Sequence, residues 1–117
     1  MAKFMFVYRG CDEEYAKLSP EELQKNMQKW GAWIQEGFTK GWMVDAGDAL
    51  TAEGRCVNSK MVVTDGPFVE AKEVVGGYSV VEAPTIDAAA IIAKGCPGLL
   101  AGGVVEVRTL AGLSAKM

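Results

Sequence analysis

Apolar and polar positions alternate, lengthen to a helical period, and alternate again along this chain. From Lys3 to Arg9, Phe4, Phe6 and Tyr8 point one way and Met5 and Val7 the other, which is the period of a strand. Both sides are apolar, so both faces of this strand call for cover. Ser19-Pro20-Glu21-Glu22 then reads as a helix start, with Ser19 as cap, Pro20 at the first helical position and Glu22 closing a capping box. Leu23, Met27, Trp30, Ile34 and Phe38 follow at steps of three and four and predict one apolar stripe facing the core. Trp33 stands about 300° from Trp30 on that helix, at the stripe's edge or at a contact with a second copy. Gly41 suits the left-handed cap that ends the helix.

The second half is mostly strand. Trp42 to Val44, Cys56 to Thr64 and Gly77 to Val81 carry strand patterns, and Asp65-Gly66-Pro67 is a turn signal. Pro84-Thr85 opens a second helix through Ala88 to Lys94, stopped at Gly95. Val104 to Thr109 is the last strand, with Val105 and Val107 on one face and Glu106 and Arg108 on the other. The order is β-α-β-β-(β)-α-β, a single α+β domain over residues 1–117. Two helices cover one face of a four-stranded sheet and leave the other bare. A second copy packed sheet to sheet is the economical cover, in preference to the loop 44–55 folding over that face.

Composition narrows the classes. The 117 residues are half hydrophobic and carry a net charge of −3, with Lys and Arg scattered rather than clustered, which argues against nucleic acid as a partner. No apolar run is long enough for a bilayer, and the apolar stretch at the N-terminus is too short for a secretory leader, so the default compartment is the cytoplasm. There is no histidine, and Cys11, Cys56 and Cys96 are widely spaced, so neither a zinc site nor a Cys-His pair is expected. No P-loop or G-x-G-x-x-G element appears, and no cofactor is expected.

The run Val63-Thr64-Asp65-Gly66-Pro67-Phe68-Val69-Glu70-Ala71-Lys72-Glu73, followed by Gly76-Gly77-Tyr78, resembles the DGPF signature of the YCII-related proteins. Lys3 to Tyr8, the Ser19 helix start, Cys96-Pro97 and Gly103 to Arg108 are similar to other parts of that family, so the resemblance spans nearly the whole chain. It implies a ferredoxin-like fold, an antiparallel βαββαβ sheet with two helices on one face, that pairs into a dimeric α/β barrel. It also implies an acidic residue in a cleft. Most DGPF-type members have no assigned activity, and some are similar to proteins encoded beside extracytoplasmic-function sigma factors. Relatives in the wider group are enzymes that use a His/Asp pair, which this chain lacks.

Several residues are candidates for chemistry. Asp65 opens the Gly-Pro turn, where an aspartate commonly holds backbone amides; facing a cavity, the same carboxylate would serve as general base or acid. Asp48 is the alternative catalytic carboxylate. Asp45 and Asp48 flank Ala46-Gly47, a loop position suited to a cleft but short of a metal ligand set. Tyr8, Arg9, Asp45, Asp65, Phe68 and Lys72 form the expected ligand-binding set, with Lys72 suited to orient an anion and Arg9 to pair with an acid. Glu70, Lys72 and Glu73 otherwise read as solvated surface, and Glu106 and Arg108 as a mutual pair.

Three readings stay open: a homodimer binding a small molecule in a cleft lined by acidic residues; a histidine-free acid–base enzyme, lyase- or isomerase-like, using Asp65 or Asp48; and a protein-interaction module linked to sigma-factor regulation.

Overall fold

The alternation at Phe4, Phe6 and Tyr8 is expressed as burial: all three point into the core, and Met5 and Val7 between them are half-buried on the opposite face. They belong to β1 (Ala2–Arg9), an inner strand of a four-stranded antiparallel sheet. The computed structural model describes residues 1–10, 12–66 and 73–113. After β1 come a short helix, α1 (Asp12–Ala16), the long α2 (Pro20–Lys40), β2 (Met43–Ala49), and the short strands β3 (Gly54–Val57) and β4 (Val63–Gly66). Then follow β5 (Val75–Ala83), α3 (Ile86–Ala93), a 3-10 turn over Pro97–Ala101, and β6 (Val104–Thr109).

The sheet order is β2-β5-β1-β6, and every neighbouring pair is antiparallel. Without β3 and β4 the sequence of elements is β1-α2-β2-β5-α3-β6, a mixed α+β arrangement consistent with a ferredoxin-like frame. Trp33 and Gly37 of α2 and Ala89 and Ala93 of α3 are buried with Phe4, Phe6, Val81 and Ala83, so both helices lie on one face of the sheet. Small residues on α3 let that helix sit close to the strands. The other face carries Met5 and Val7, in register with Val80 and Tyr78, with the β6 residues Arg108 and Glu106 on the other side of β1. Among the described residues, no helix is long and apolar enough to cross a membrane.

Both caps of α2 are those the sequence predicts. Ser19 Oγ accepts from the Glu22 amide, Glu22 returns the bond to the Ser19 amide, and Gly41 adopts a left-handed φ of 86° with its amide on Phe38 O.

Three expectations need correction. Cys56 to Thr64 is not one strand but a hairpin: the chain reverses at Asn58, whose side-chain oxygen accepts from the Lys60 and Val62 amides. Apolar residues on both sides of the reversal hid the turn, which depends on one asparagine acting as a backbone mimic. The strand after Trp42 runs on to Ala49, because a bulge at Gly47 lets pairing with β5 continue through a segment with no strand pattern. Finally, Trp33 is the buried tryptophan of α2, whereas Met27 and Phe38 on the apolar stripe are exposed. The stripe is real, but only part of it is packed against the core.

Candidate functional site

The uncovered part of the α2 stripe forms one wall of a cleft of about 530 Å³. Leu23, Asn26, Met27, Trp30 and Ile34 supply this wall. The facing wall is backbone-rich, Ala46 to Ala49 from β2 with the following Leu50, and Gly76 to Tyr78 from β5, and Tyr8 and Ser79 form the floor. Gly77 lets β2 run close alongside β5 here, since a Cβ on it would stand 2.8 Å from Asp48 O.

The floor is a chain of hydrogen bonds. Tyr8 Oη donates to Ser79 Oγ at 2.7 Å, and Ser79 Oγ donates to Ala46 O at 2.7 Å. Both hydroxyl protons are used, so this part of the floor offers a ligand acceptor lone pairs. Burial pushes the Tyr8 hydroxyl well above the usual phenol range, so it stays neutral. The Tyr8 ring meets Trp30 edge-on, with centroids 4.8 Å apart, and Trp30 meets Trp33 in the same manner at 5.8 Å. Trp33 in turn contacts Trp42 and stacks on Phe6. This aromatic cluster joins the floor of the cleft to the core and holds Tyr8 and Trp30 in place. Trp30 Nε1 donates to Tyr15 Oη at 2.9 Å, which fixes the outer end of the wall.

Of the residues expected to bind a ligand, Tyr8 lines this cleft, and so does Asp48 from the expected catalytic pair. Asp48 Oδ1 accepts from the Ala49 amide and Asp45 Oδ1 from the Gly47 amide, so both exposed carboxylates brace the β2 bulge. Arg9 alternates with Tyr8 and lies on the opposite face of the sheet. There it meets Glu106 at 2.9 Å and donates to Glu73 O, and Arg108 reaches the same Glu106 at 3.1 Å. Those guanidinium bonds, Arg108 first and then Arg9, hold the Glu106 carboxyl below the usual glutamate range. Asp65 lies elsewhere again: it belongs to β4, is 86% exposed, and stands 3.5 Å from Arg55. Phe68 and Lys72, with Glu70, fall outside the described residues. Among the described residues no cluster of three metal-ligating groups exists.

Sequence reasoning did not single out Ser79, Asn26, Met27 or Trp30 for the site. Ser79 carried a legible signal. It is the polar residue at an inward position of a strand whose other inward positions are Gly77, Val81 and Ala83, and such a hydroxyl must find partners inside.

The family profile of the YCII-related domain matches residues 3–112. No curated protein sequence matches the chain significantly.

Proposed function

The chain belongs to the YCII-related domain family, and from that premise we propose that it is a small homodimeric protein that binds a neutral, largely apolar small molecule in the cleft between α2 and the β2–β5 edge. The observation that carries this reading is the cleft itself. Its volume falls within the roughly 300–1,000 Å³ range of small-molecule sites, and its side chains are mainly apolar and aromatic with a few convergent hydroxyls. Apart from the tyrosines, Asp48 is the one ionisable residue among the described residues lining it, and its carboxylate is already bonded to backbone. An anionic ligand would meet no compensating charge there and a cationic one only the exposed Asp48 carboxylate at the rim, whereas a planar apolar one would meet Trp30 and Met27, and a donor on it would meet Ser79 and Tyr8.

The dimer is inferred from the bare sheet face. Met5, Val7, Tyr78 and Val80 form a half-buried apolar strip, and a second sheet laid on it would remove it from water and complete an α/β barrel. The Asp65-Gly66-Pro67-Phe68 run supports placing the chain in the DGPF branch of the family. The acid–base reading draws less support, because Asp48 braces a bulge and Asp65 is far out on the β3–β4 hairpin.

Titration with an uncharged naphthylamine probe, followed through quenching of tryptophan emission, tests the binding reading. Saturable binding with one site per chain is expected. Met27→Trp, which fills the cleft from an exposed position, should weaken binding at least tenfold and leave the melting temperature within a few degrees. Binding that is absent, or untouched by Met27→Trp, counts against the site. Sedimentation at micromolar concentration tests the dimer, and a monomer there removes it.

A further inference from the structure

The β3–β4 hairpin stands outside the four-stranded sheet and, among the described residues, its strands pair only with each other. It is nevertheless well made. Arg55 to Val57 are in ladder register with Asp65 to Val63, and the reversal is fixed by the Asn58 side chain and by backbone bonds between Asn58 and both Val62 and Met61. Val57 and Val63 face each other across the ladder and share a side of the hairpin, 65% and 60% exposed. Met61 at the tip is 83% exposed and held at a φ of 65°, a left-handed conformation that turns usually give to glycine or asparagine. An ordered hairpin with bare valines and a strained methionine at its tip is not stable on its own account, since an isolated two-stranded ribbon is marginal in water.

The surface area points to the occupant. The chain exposes 8163 Å², against about 6,200 Å² for a compact monomer of this mass. Its radius of gyration is 15.6 Å, against about 13.4 Å for a compact domain of this length, and it forms a plate of 46 × 43 × 19 Å. The excess, about 2,000 Å² per chain, lies in the range of roughly 1,000–2,500 Å² that each subunit of an obligate homodimer buries. The chain also carries a matching platform, the bare sheet face, whose strip of Met5, Val7, Tyr78 and Val80 packs on the partner's sheet and whose margin remains for the arm.

We infer that the β3–β4 hairpin is an arm that each chain lays along the margin of the bare sheet face of a second copy, outside the strip that the two packed sheets cover, receiving the other's arm in return. A twofold arrangement covers two arms and two platforms in one operation, whereas a foreign partner on either surface would leave the other exposed. This inference rests on the dimer reading above and adds the element that clasps it. Val57 and Val63 are the contact residues, and Arg55 and Asp65, which share their side of the ladder, flank them. Asp65 thereby takes a place at a subunit contact rather than in the cleft.

Sedimentation equilibrium of the wild type, Val57→Asp and Val63→Asp, together with lysine cross-linking of an equal mixture of light and heavy-isotope protein, tests the arm. Both positions are exposed, so the variants should fold with unchanged far-UV circular dichroism. A wild-type dimer is expected, with its dissociation constant raised at least tenfold by either variant. Cross-links from Lys60 at the arm tip should join light chains to heavy ones. A wild-type monomer overturns both the dimer and the arm. A wild-type dimer whose constant is unmoved by either variant, with Lys60 cross-links confined to single chains, overturns the arm and leaves the dimer standing. Arm-dependent capture of a different protein with the dimer constant unmoved overturns it equally.

Discussion

Tyr8 and Ser79, 71 residues apart in the chain, share a buried hydrogen bond of 2.7 Å across two paired strands, and Ser79 hands the chain of bonds on to Ala46 O. The two ends are not equivalent. Removing the Tyr8 hydroxyl leaves Ser79 still bonded to Ala46, and the loss is one hydrogen bond, about 1 kcal/mol. Removing the Ser79 hydroxyl strands both the Tyr8 proton and the Ala46 carbonyl in a site with little water, at about 1–3 kcal/mol. Urea unfolding should therefore rank Ser79→Ala as more destabilising than Tyr8→Phe, with the double variant costing less than the sum. The reverse order would mean that the serine is not the hub of the floor.

The same burial makes Tyr8 a source of alkaline sensitivity. Its folded-state pKa is raised, so its contribution to stability is fully present below the unfolded phenol value of about 10. As the pH climbs above that value, the unfolded chain gives up the proton while the folded protein retains it, and stability falls by about 1.4 kcal/mol per pH unit from this group alone. Tyr8→Phe should flatten that part of the stability–pH curve relative to wild type. In the folded wild type, one of the three tyrosines should yield no phenolate absorbance until the protein unfolds. Full titration of all three phenols in the folded state would contradict the burial argument.

Much of this fold was legible because it rests on local rules. Ser19, Pro20, Glu22 and Gly41 specify both ends of α2 by capping chemistry, and the period-two burial of β1 is written in Phe4, Phe6 and Tyr8. The site was less legible because it arises from what fails to be covered. The stripe at Leu23, Met27, Trp30 and Ile34 has the spacing of a core face, and spacing alone cannot tell a packed wall from an open one. The outcome depends on where Ala46 to Leu50 and Gly76 to Tyr78 stand relative to α2, which no spacing within the helix records. Trp33 moved from edge to core for a related reason: α2 turns it, rather than Trp30, towards Phe6. The hairpin went unread because Asn58 makes the turn with its side chain, without glycine or proline.

The glycine at position 47 binds these features together. Its φ is 69°, and a Cβ placed there would stand 1.8 Å from Tyr78 O, so an alanine is excluded both by conformation and by space. Asp45 and Asp48 brace the strand on either side of it, and the neighbouring Ala46 carbonyl receives the Ser79 hydroxyl. Gly47→Ala must therefore push β2 away from β5 and pull the acceptor from the floor of the cleft. A cost of at least about 3 kcal/mol is expected, at the upper end for a single substitution, together with loss of probe binding. Gly31 provides the control. It is exposed in the middle of α2, and a methyl group added there would meet nothing within 4 Å, so Gly31→Ala should stabilise the protein by about 1 kcal/mol and leave binding alone. Chemical denaturation of both variants separates the two roles. A mild effect at Gly47 would show that the bulge can relax without closing or breaking the cleft, and would shift the search for the ligand's orienting contacts to Asn26 and Trp30 on the helical wall.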